Sequence, residues 1–260
     1  MLKLATWNVN SVKARLPNVL DWLKTADPDV VLLQEIKCET GNFPYLEIEG
    51  LGYHTAVHGQ KSYNGVAILS KLPIEDVVCG LPGDEFDTHA RYIEATIGDL
   101  RVASIYLPNG NPVGTDKYPY KLAFMDRLKA RARQLLAEDR PFALGGDYNV
   151  IPEPIDCYDP KAWEEDALFR LETRRKFREL LNLGLTEAYR ALHPGKGRAY
   201  SFWDYQAGCW PLDKGIRIDH FLLGPRAADR LVSATIDKEP RGREKASDHT
   251  PVLIELETAG

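Results

Sequence analysis

Residues 30–35 read VVLLQE, four consecutive apolar positions that end at two polar ones. A short and continuous apolar run of this kind is typical of a strand that is covered on both faces. Residues 142–149 read FALGGDYN and repeat the arrangement, because a buried run again ends in polar side chains. The two stretches predict interior strands of a sheet, each with a polar residue at its end.

The sequence around these two strands holds many strand patterns and few helices. Apolar residues recur at helical spacing between Val12 and Leu23, and Asp27-Pro28 ends that pattern. Two further helices are predicted over Tyr120–Ala137 and Glu172–Leu183. The predicted strands are Lys3–Val9, Val30–Leu33, Gly52–Val57, Gly65–Ser70, Glu75–Cys79, Tyr92–Ile97, Arg101–Leu107, Phe142–Leu144, Ile216–Leu223, Ser233–Asp237 and Pro251–Glu257. This mixed order predicts two packed sheets flanked by helices, in one continuous domain over residues 1–260.

Charge and cysteine content narrow the function classes only a little. The chain has 33 basic and 38 acidic residues and a net charge of −5, so bulk charge gives no sign of nucleic-acid binding. The basic residues between Lys121 and Arg133 predict a solvated helix face. Four separated cysteines without a Cys-x-x-Cys pair argue against a zinc site or a disulfide framework. The chain shows no signal-peptide pattern and no segment of transmembrane length, so we expect a cytoplasmic protein without a membrane partner.

Polar side chains stand at the ends of several predicted strands, where loops converge and ligands bind in α/β proteins. They are Asn8, Glu35, Tyr106, Asn109, Asp147, Asn149, Asp219, Asp248 and His249. Each has an ordinary structural explanation, such as a turn, a helix cap or a loop pair. Together they offer carboxylates, amide oxygens and an imidazole. Oxygen ligands of this kind suit Mg²⁺ or Mn²⁺ rather than zinc, and they are typical of phosphoryl-transfer chemistry.

These residues lie in motifs that resemble the exonuclease III family of class II abasic-site endonucleases, within the endonuclease/exonuclease/phosphatase superfamily. The motifs follow the family's order over nearly the whole chain: Thr6–Asn10, Leu33–Lys37, Asn64–Ala67, Tyr106–Gly110, Gly146–Asn149, Tyr200–Tyr205, Arg217–His220 and Ser247–Pro251. Two further segments, Asp159–Trp163 and Leu192–Pro194, resemble the bacterial branch. The resemblance implies a four-layered α/β sandwich, with two mixed sheets face to face and helices outside. It also implies a monomer that hydrolyses duplex DNA on the 5′ side of abasic sites and cleans or trims 3′ ends.

The resemblance further implies a role for each matched residue. The implied metal residues are Asn8, Glu35, Asp147, Asn149, Asp248 and His249, with Mg²⁺ as the cofactor and Mn²⁺ as its substitute. The implied catalytic residues are Tyr106, Asp147, Asn149, Asp219 and His249. Among these, Asp147 would activate the attacking water and Asp219 would orient the ring of His249. The implied DNA contacts are Arg91, Asn109, Phe202, Trp203 and Ile218. Of these, the apolar three would shape a pocket for the base-free sugar, unless Phe202 and Trp203 are core or surface-patch aromatics.

Two departures from the family pattern and two rival functions remain open. Asn10 stands where vertebrate members carry Asp, which weakens the case for a second metal ion. Ile216 replaces a pocket Trp of the vertebrate branch, so the balance between endonuclease and exonuclease activity is not fixed. Non-specific nucleases, inositol-phosphate phosphatases and sphingomyelinases share the polar core, but the Tyr-x-Pro-Asn-Gly, Phe-Trp-Asp-Tyr and Asp-Pro-Lys-Ala-Trp segments favour DNA repair. A non-catalytic regulator would have lost site residues that this chain retains.

Overall fold

The two apolar runs form strands that lie inside two separate sheets, and both are buried along their whole length. The structure, a computed structural model, describes residues 1–258; the last two residues of the predicted domain lie outside the described part. The strands are β1 (Leu2–Asn8), β2 (Val30–Gln34), β3 (His54–His58), β4 (Val66–Ser70), β5 (Glu75–Cys79), β6 (Tyr92–Ile97), β7 (Leu100–Tyr106), β8 (Phe142–Asp147), β9 (Thr186–Glu187), β10 (Asp219–Leu223), β11 (Leu231–Ile236) and β12 (Val252–Leu256). The helices are α1 (Leu16–Ala26), α2 (Tyr45–Glu49), α3 (Lys117–Ala137), α4 (Pro160–Trp163), α5 (Leu171–Leu181), α6 (Ala188–Leu192) and α7 (Pro225–Ala228).

Both sheets are mixed and six-stranded within the described residues. The first has the order β11-β12-β1-β2-β4-β3, and the second has the order β5-β6-β7-β8-β10-β9. Each contains one parallel pair, β1 with β2 and β7 with β8, among antiparallel neighbours. The predicted pair of mixed sheets is therefore confirmed.

Side chains that alternate along each strand divide the interior into layers. Leu32 of β2, Val102 of β7 and Phe221 of β10 belong to the cluster between the two sheets. The side chains on the other face of each sheet contact the helices. Helix α1 packs on the first sheet, while α3 and α5 pack on the second. The order helix, sheet, sheet, helix confirms the four-layered sandwich, and burial of these apolar side chains is its main source of stability.

Gly145 lies where a side chain would collide with residues of both sheets. A Cβ atom built there would lie 2.5 Å from Cε1 of Phe221 and 2.7 Å from Cδ1 of Leu32. Since distances this short do not occur between real carbon atoms, only glycine fits while the sheets keep their spacing. The close contact lies two residues before Asp147, so it holds the ends of β2 and β8 near each other.

Strand register then gathers polar residues at one edge of the sandwich. Asn8 lies opposite Gln34 in the first sheet, and Asp147 lies opposite both Tyr106 and Asp219 in the second. The ends of β1, β2, β7 and β8 and the start of β10 therefore face the same edge. The convergence expected from the polar strand ends is present.

The structure differs from the predicted elements in three respects. The strand predicted over Ile216–Leu223 begins only at Asp219, because Ile216 makes isolated bridges with Cys157 and Phe202. Short elements such as α2, α6 and β9 carry too little pattern to be predicted. Lys121 is 0% exposed, so its assignment to a solvated helix face is wrong.

Two further features concern the chain as a whole. The four cysteines are free thiols, and two of them are buried. Within residues 1–258, no helix has the length and apolar composition required to cross a membrane.

Candidate active site at the strand ends

Glu35, Asp147 and His249 form the centre of the site. One potential metal-ligand atom from each residue lies within 4.8 Å of the other two. Glu35 directly follows β2, Asp147 ends β8, and His249 precedes β12. Asp147 and His249 are buried and Glu35 is half-buried, so the cluster opens to solvent on the Glu35 side.

Asn8 joins the two carboxylates of this centre. Its amide nitrogen donates to Oε1 of Glu35 and to Oδ2 of Asp147, each at 2.9 Å. Its Oδ1 accepts a bond of 3.0 Å from the backbone N–H of Asn10. Asn8 is 0% exposed and therefore fixes the separation of two groups whose charges repel each other.

Glu35 is held in its charged form. Burial acts to raise the pKa of Glu35, but the hydrogen bond from Asn8 and the charges of Lys37 and His249 outweigh burial and lower that pKa below its ordinary value. Nζ of Lys37 lies 3.1 Å from Oε2 of Glu35. The carboxylate is thus available as a ligand for a cation at neutral pH.

The imidazole of His249 is oriented by Asp219. Nδ1 of His249 lies 2.8 Å from Oδ2 and 3.1 Å from Oδ1 of Asp219, while Nε2 points toward Oδ2 of Asp147 at 3.6 Å. Burial acts to lower the pKa of His249, but the negative charges of Asp219 and Asp147 raise it well above its ordinary value. His249 is therefore a charged donor that can bind an anionic oxygen.

Asp147 has the opposite balance. Burial raises the pKa of its carboxyl to about 7, with a further rise from the charge of Asp219 and a partial offset from His249. A carboxyl whose pKa lies near neutrality can take up a proton from a water molecule during a reaction at physiological pH. This property fits the predicted role of Asp147 as the group that activates water.

Asp219 is itself supported by Ser201, a residue without a predicted role. Oγ of Ser201 donates to Oδ2 of Asp219 at 2.6 Å and accepts from the backbone N–H groups of Ile218 and Asp219, each at 3.1 Å. The chain of contacts runs from Ser201 through Asp219 to His249. Ser201 lies within the quoted motif Tyr200–Tyr205, but nothing local in that motif indicates which residue its hydroxyl contacts.

Tyr106, Asn109 and Asn149 form the second wall of the site. The amide nitrogen of Asn149 donates to the carbonyl of Leu107 at 2.8 Å, and Asn109 donates to Oδ1 of Asn149 at 3.3 Å. Burial and the charge of Glu35 raise the pKa of Tyr106 well above its ordinary value, so its hydroxyl stays protonated and can donate. The guanidinium of Arg91 lies 4.8 Å from the centroid of the Tyr106 ring, at the edge of the site.

Lys121 anchors this wall from inside the protein. Its Nζ donates to the carbonyl of Asn109 at 3.0 Å and to the carbonyl of Asn149 at 2.5 Å. Burial lowers the pKa of Lys121 to about 7. Because one ammonium holds the backbones of both loops, the positions of Asn109 and Asn149 depend on it.

Asp248 lies on the other side of Glu35, outside the three-residue cluster. Its Oδ1 accepts from Nδ2 of Asn10 at 3.3 Å, and Oδ1 of Asn10 accepts from Lys37 at 2.6 Å. Asp248 is half-buried. It therefore borders the site through Asn10 rather than by direct contact with Glu35.

The predicted sugar-pocket residues occupy different depths. The ring of Phe202 is half-buried and makes an edge contact with the ring of His249, with centroids 5.0 Å apart. Phe202 and Ile216 line a cavity of about 230 Å³ together with Tyr158 and Trp163. Trp203 is 0% exposed and donates its Nε1–H to Asp213 at 3.1 Å.

Trp203 and Ile218 accordingly differ from Phe202 in what they can contact. Ile218 is 2% exposed, and neither it nor Trp203 lines the cavity that Phe202 borders. Both side chains lie in the interior: Ile218 belongs to the cluster against which Phe202 packs, whereas Trp203 contacts the rings of Tyr200 and Trp210. The alternative that the aromatic motif also supplies core residues applies to Trp203.

Comparisons with known proteins bear on the chemistry of this site. The sequence matches the model of the Endonuclease/Exonuclease/phosphatase family over residues 5–249. Exodeoxyribonuclease III of Haemophilus influenzae is 32% identical over 266 aligned positions, which cover 98% of this chain and 100% of that protein. The DNA repair nuclease APEX1 of Danio rerio is 32% identical over 98% of this chain and 82% of that protein.

Solved structures with the same fold include nucleases of this kind. An AP endonuclease from Archaeoglobus fulgidus superposes with a TM-score of 0.95 at 37% identity, covering 99% of this chain and 100% of that one. The 3′ phosphatase NExo from Neisseria, bound to a product DNA hairpin, superposes with a TM-score of 0.96 at 38% identity over the same shares. The similarity therefore extends over both sheets and over the edge that carries the polar cluster.

Proposed function

The chain belongs to the endonuclease/exonuclease/phosphatase family, and from that premise we propose that it is a divalent-metal-dependent DNA phosphodiesterase of base excision repair. It is a hydrolase related to exodeoxyribonucleases and to AP endonucleases. Its substrates are duplex DNA with abasic sites, cut on the 5′ side, and 3′ ends that are trimmed or freed of blocking groups. It works as a monomer, with residues 1–260 as one catalytic domain.

The observation that carries this proposal is the convergence of His249 with two carboxyl groups, Glu35 and Asp147. The pKa of His249 is raised, that of Glu35 is lowered and that of Asp147 is raised to about 7. His249, Asp147 and Glu35 converge within 4.8 Å, and Asp219 and Asn8 hold them there. An anionic phosphodiester needs a cationic donor, a group that accepts a proton from water and a carboxylate that binds a metal ion. The three central residues meet these three requirements.

The donor set fits a hard divalent cation. The pKa of Glu35 is lowered, ligand atoms of Asp147 and His249 lie within 4.8 Å of a Glu35 oxygen, and Asp248 borders the site through Asn10, whereas cysteine thiols are absent from the described cluster. We propose Mg²⁺, with Mn²⁺ as its substitute, because both prefer oxygen ligands and phosphate oxygens. When bound, such an ion supplies positive charge that neutralises the phosphoryl oxygens. Glu35 would be its principal ligand, with Asn8, Asp147, Asn149 and Asp248 in support.

The side chains of this protein account for the remaining steps. Asp147 accepts a proton from the attacking water, whose oxygen forms the new bond to phosphorus while the bond to the 3′ oxygen breaks and that oxygen takes up a proton from solvent. His249 is also a predicted metal residue, but in its charged form it has no free lone pair for an ion. It donates instead to a phosphate oxygen, and Asp219 keeps its ring in place. Tyr106 and Asn109 donate to the same phosphate.

DNA recognition beyond the scissile phosphate rests on fewer contacts. The ring of Phe202 lies beside the ring of His249 and also lines the cavity formed with Tyr158, Trp163 and Ile216, so a base-free sugar placed against Phe202 would bring its 5′ phosphate to the imidazole. Arg91 would contribute positive charge on the Tyr106 side. We propose that Trp203 and Ile218 act by supporting this surface from the interior.

A duplex oligonucleotide with one synthetic abasic site tests the proposed function. It is incubated with Mg²⁺ and with EDTA, beside an undamaged duplex with a recessed 3′ end and one with a 3′ phosphate. Metal-dependent incision at the lesion is the expected result. The Asp147→Asn protein should lose it, whereas Asp139→Asn, which changes an exposed carboxylate paired with Arg226, should not. A folded wild-type protein that cleaves none of the three duplexes would favour a phosphatase of other substrates or a binding protein.

A further inference from the structure

A cavity of about 330 Å³, the α6–β11 cavity, lies between α6 and β11 and shares no residue with the active site described above. Its lining includes four basic side chains, those of His193, Lys196, Arg198 and Lys238, and its other lining residues are uncharged. No carboxylate of residues 1–258 lines it, although the chain as a whole has a net charge of −5. Its volume falls at the lower end of the range of about 300–1,000 Å³ that is typical of small-molecule sites.

The turn that carries two of these side chains is held in place by Arg190. Nη1 of Arg190 donates to the carbonyls of His193 and Lys196, each at 2.9 Å. Nε2 of His193 lies 2.8 Å from the carbonyl of Ala234 on β11. Because a carbonyl can only accept, Nε2 carries the hydrogen, and the ring ties the turn to the sheet. The turn includes the segment Leu192–Pro194, to which the proposed mechanism gives no role.

Lys238 brings a further positive charge to the same cavity. Its Nζ donates to the carbonyl of Arg198 at 3.3 Å and lies 5.3 Å from the centroid of the Trp203 ring. The carboxylate of Asp213 is 3.7 Å away, which is longer than a hydrogen bond. Within the described residues, the ammonium of Lys238 therefore has no carboxylate at hydrogen-bond distance.

Two carboxylates near the cavity are bound to other groups. Oδ2 of Asp237 accepts from Nε1 of Trp22 at 3.0 Å, and Oδ1 of Asp213 accepts from Nε1 of Trp203 at 3.1 Å. Positive charges that line one cavity without a carboxylate repel one another, and a bound oxyanion removes that repulsion. The charge pattern of the α6–β11 cavity thus favours an anionic ligand.

We infer that the α6–β11 cavity binds a phosphate group outside the active site. A phosphate offers the negative charge and the several acceptor oxygens that two ammonium groups and a guanidinium can bind. The cavity is close to the edge that carries the site, because Ile236 pairs with Val252 on β12, the strand that follows His249. DNA bound at that edge can supply the phosphate from its backbone, and a free phosphate ion has the same chemistry. The inference goes beyond the proposed function, since a phosphate site here does not depend on cleavage of DNA.

Titration of the wild-type protein with inorganic phosphate tests the site directly. The reporter is the NMR signal of the carbon-bound ring protons of His193, at fixed pH and at an ionic strength held constant with chloride. The signal should move and saturate as phosphate is added, whereas that of His54, which is exposed on β3, should stay in place. In Arg198→Met the same shift should require on the order of tenfold more phosphate, because one charged donor is lost. The matched control, Arg140→Met, removes an exposed guanidinium elsewhere and should behave as wild type.

Duplex DNA then distinguishes the two sources of the phosphate. Fluorescence anisotropy is measured with the Asp147→Asn protein, which should not cleave, on abasic-site duplexes whose flanks increase in length. If the DNA backbone supplies the phosphate, affinity should rise once a flank reaches the cavity. Arg198→Met in the same background should lose that rise and lower the salt dependence by about one phosphate contact. If a free phosphate ion is the ligand, Arg198→Met should leave DNA affinity unchanged and weaken phosphate binding alone.

Two results would overturn the inference. One is a His193 signal that phosphate moves no more than chloride does, and the other is a phosphate-dependent shift that is the same in Arg198→Met as in the wild type. A protein that binds phosphate in this way but cleaves no DNA would contradict the proposed function and leave the phosphate site standing.

Discussion

Replacement of Ser201 by alanine should disable the site without touching any group that contacts DNA. Its hydroxyl is 0% exposed and makes three hydrogen bonds, one to Oδ2 of Asp219 at 2.6 Å and two from backbone N–H groups at 3.1 Å. A hydrogen bond to a charged group contributes about 1.5–3 kcal/mol, and each stranded buried donor costs about 1–3 kcal/mol. Asp219 then loses the contact that orients it toward Nδ1 of His249.

These magnitudes set the expected effects on rate and stability separately. Since about 1.4 kcal/mol corresponds to a factor of ten in rate, kcat on the abasic-site duplex should fall about 10- to 100-fold in Ser201→Ala. KM should change little, because His249 and the phosphate contacts remain. The free energy of unfolding should fall by about 4 kcal/mol, the lower end of the sum for one lost bond and two stranded donors, and a domain with about 5–15 kcal/mol of stability stays folded at room temperature.

Two variants distinguish this positioning role from a merely structural one. Ser201→Thr keeps the hydroxyl and should recover most of kcat, while Ser233→Ala removes a hydroxyl that donates to Glu255 on an edge strand and should leave kcat unchanged. The measurements are kcat, KM and urea unfolding for each protein. Wild-type kcat in Ser201→Ala, or a loss that appears in KM alone, would refute the proposed chain of contacts from Ser201 to His249.

Three further changes test other parts of the structure. Burial acts to raise the pKa of Glu187, but the charge of Arg217 holds it at about 2, so its contribution is present above the unfolded-state pKa and disappears as pH falls toward 2. Glu187→Gln should therefore cost about 3 kcal/mol at neutral pH and flatten the acid side of the stability profile, as urea titrations at several pH values would show. Gly145→Ala should lower the free energy of unfolding by about 1–3 kcal/mol, because a Cβ there meets the ring of Phe221 at 2.5 Å. Lys121→Met should raise KM for DNA on the order of tenfold, since the loops that carry the amides of Asn109 and Asn149 lose their common donor. Thermal unfolding should show that this variant is folded, and an unchanged KM would contradict the prediction.

The strands and the edge that carries the site are predictable because their signals are local. The run VVLLQE requires cover on both faces, and its polar end stands where a parallel strand meets the loops. The same reasoning applies to FALGGDYN, so Glu35 and Asp147 are found by position alone. The distance between Glu35 and Asp147 depends on how the two sheets pack at Gly145. No short sequence pattern predicts that packing.

The burial of Lys121 could have been predicted from helical spacing. It precedes Met125, Leu128 and Ala132 by intervals that place all four on one stripe, and each of them is buried. The charge of Lys121 favours a solvated helix face, but its position on this apolar stripe places it in the core. By contrast, the contact of Ser201 with Asp219 joins residues 18 positions apart through an irregular segment, and no periodicity could have predicted it.

The charges around the phosphate position connect metal binding to DNA binding in an acidic protein. Four carboxylates, those of Glu35, Asp147, Asp219 and Asp248, surround the site, while Lys37 and His249 supply two positive charges that contact them. The carboxylates outnumber these two positive charges, and a bound divalent ion would offset the excess. Without that ion a phosphodiester would meet a net negative site, so EDTA should weaken DNA binding as well as stop cleavage.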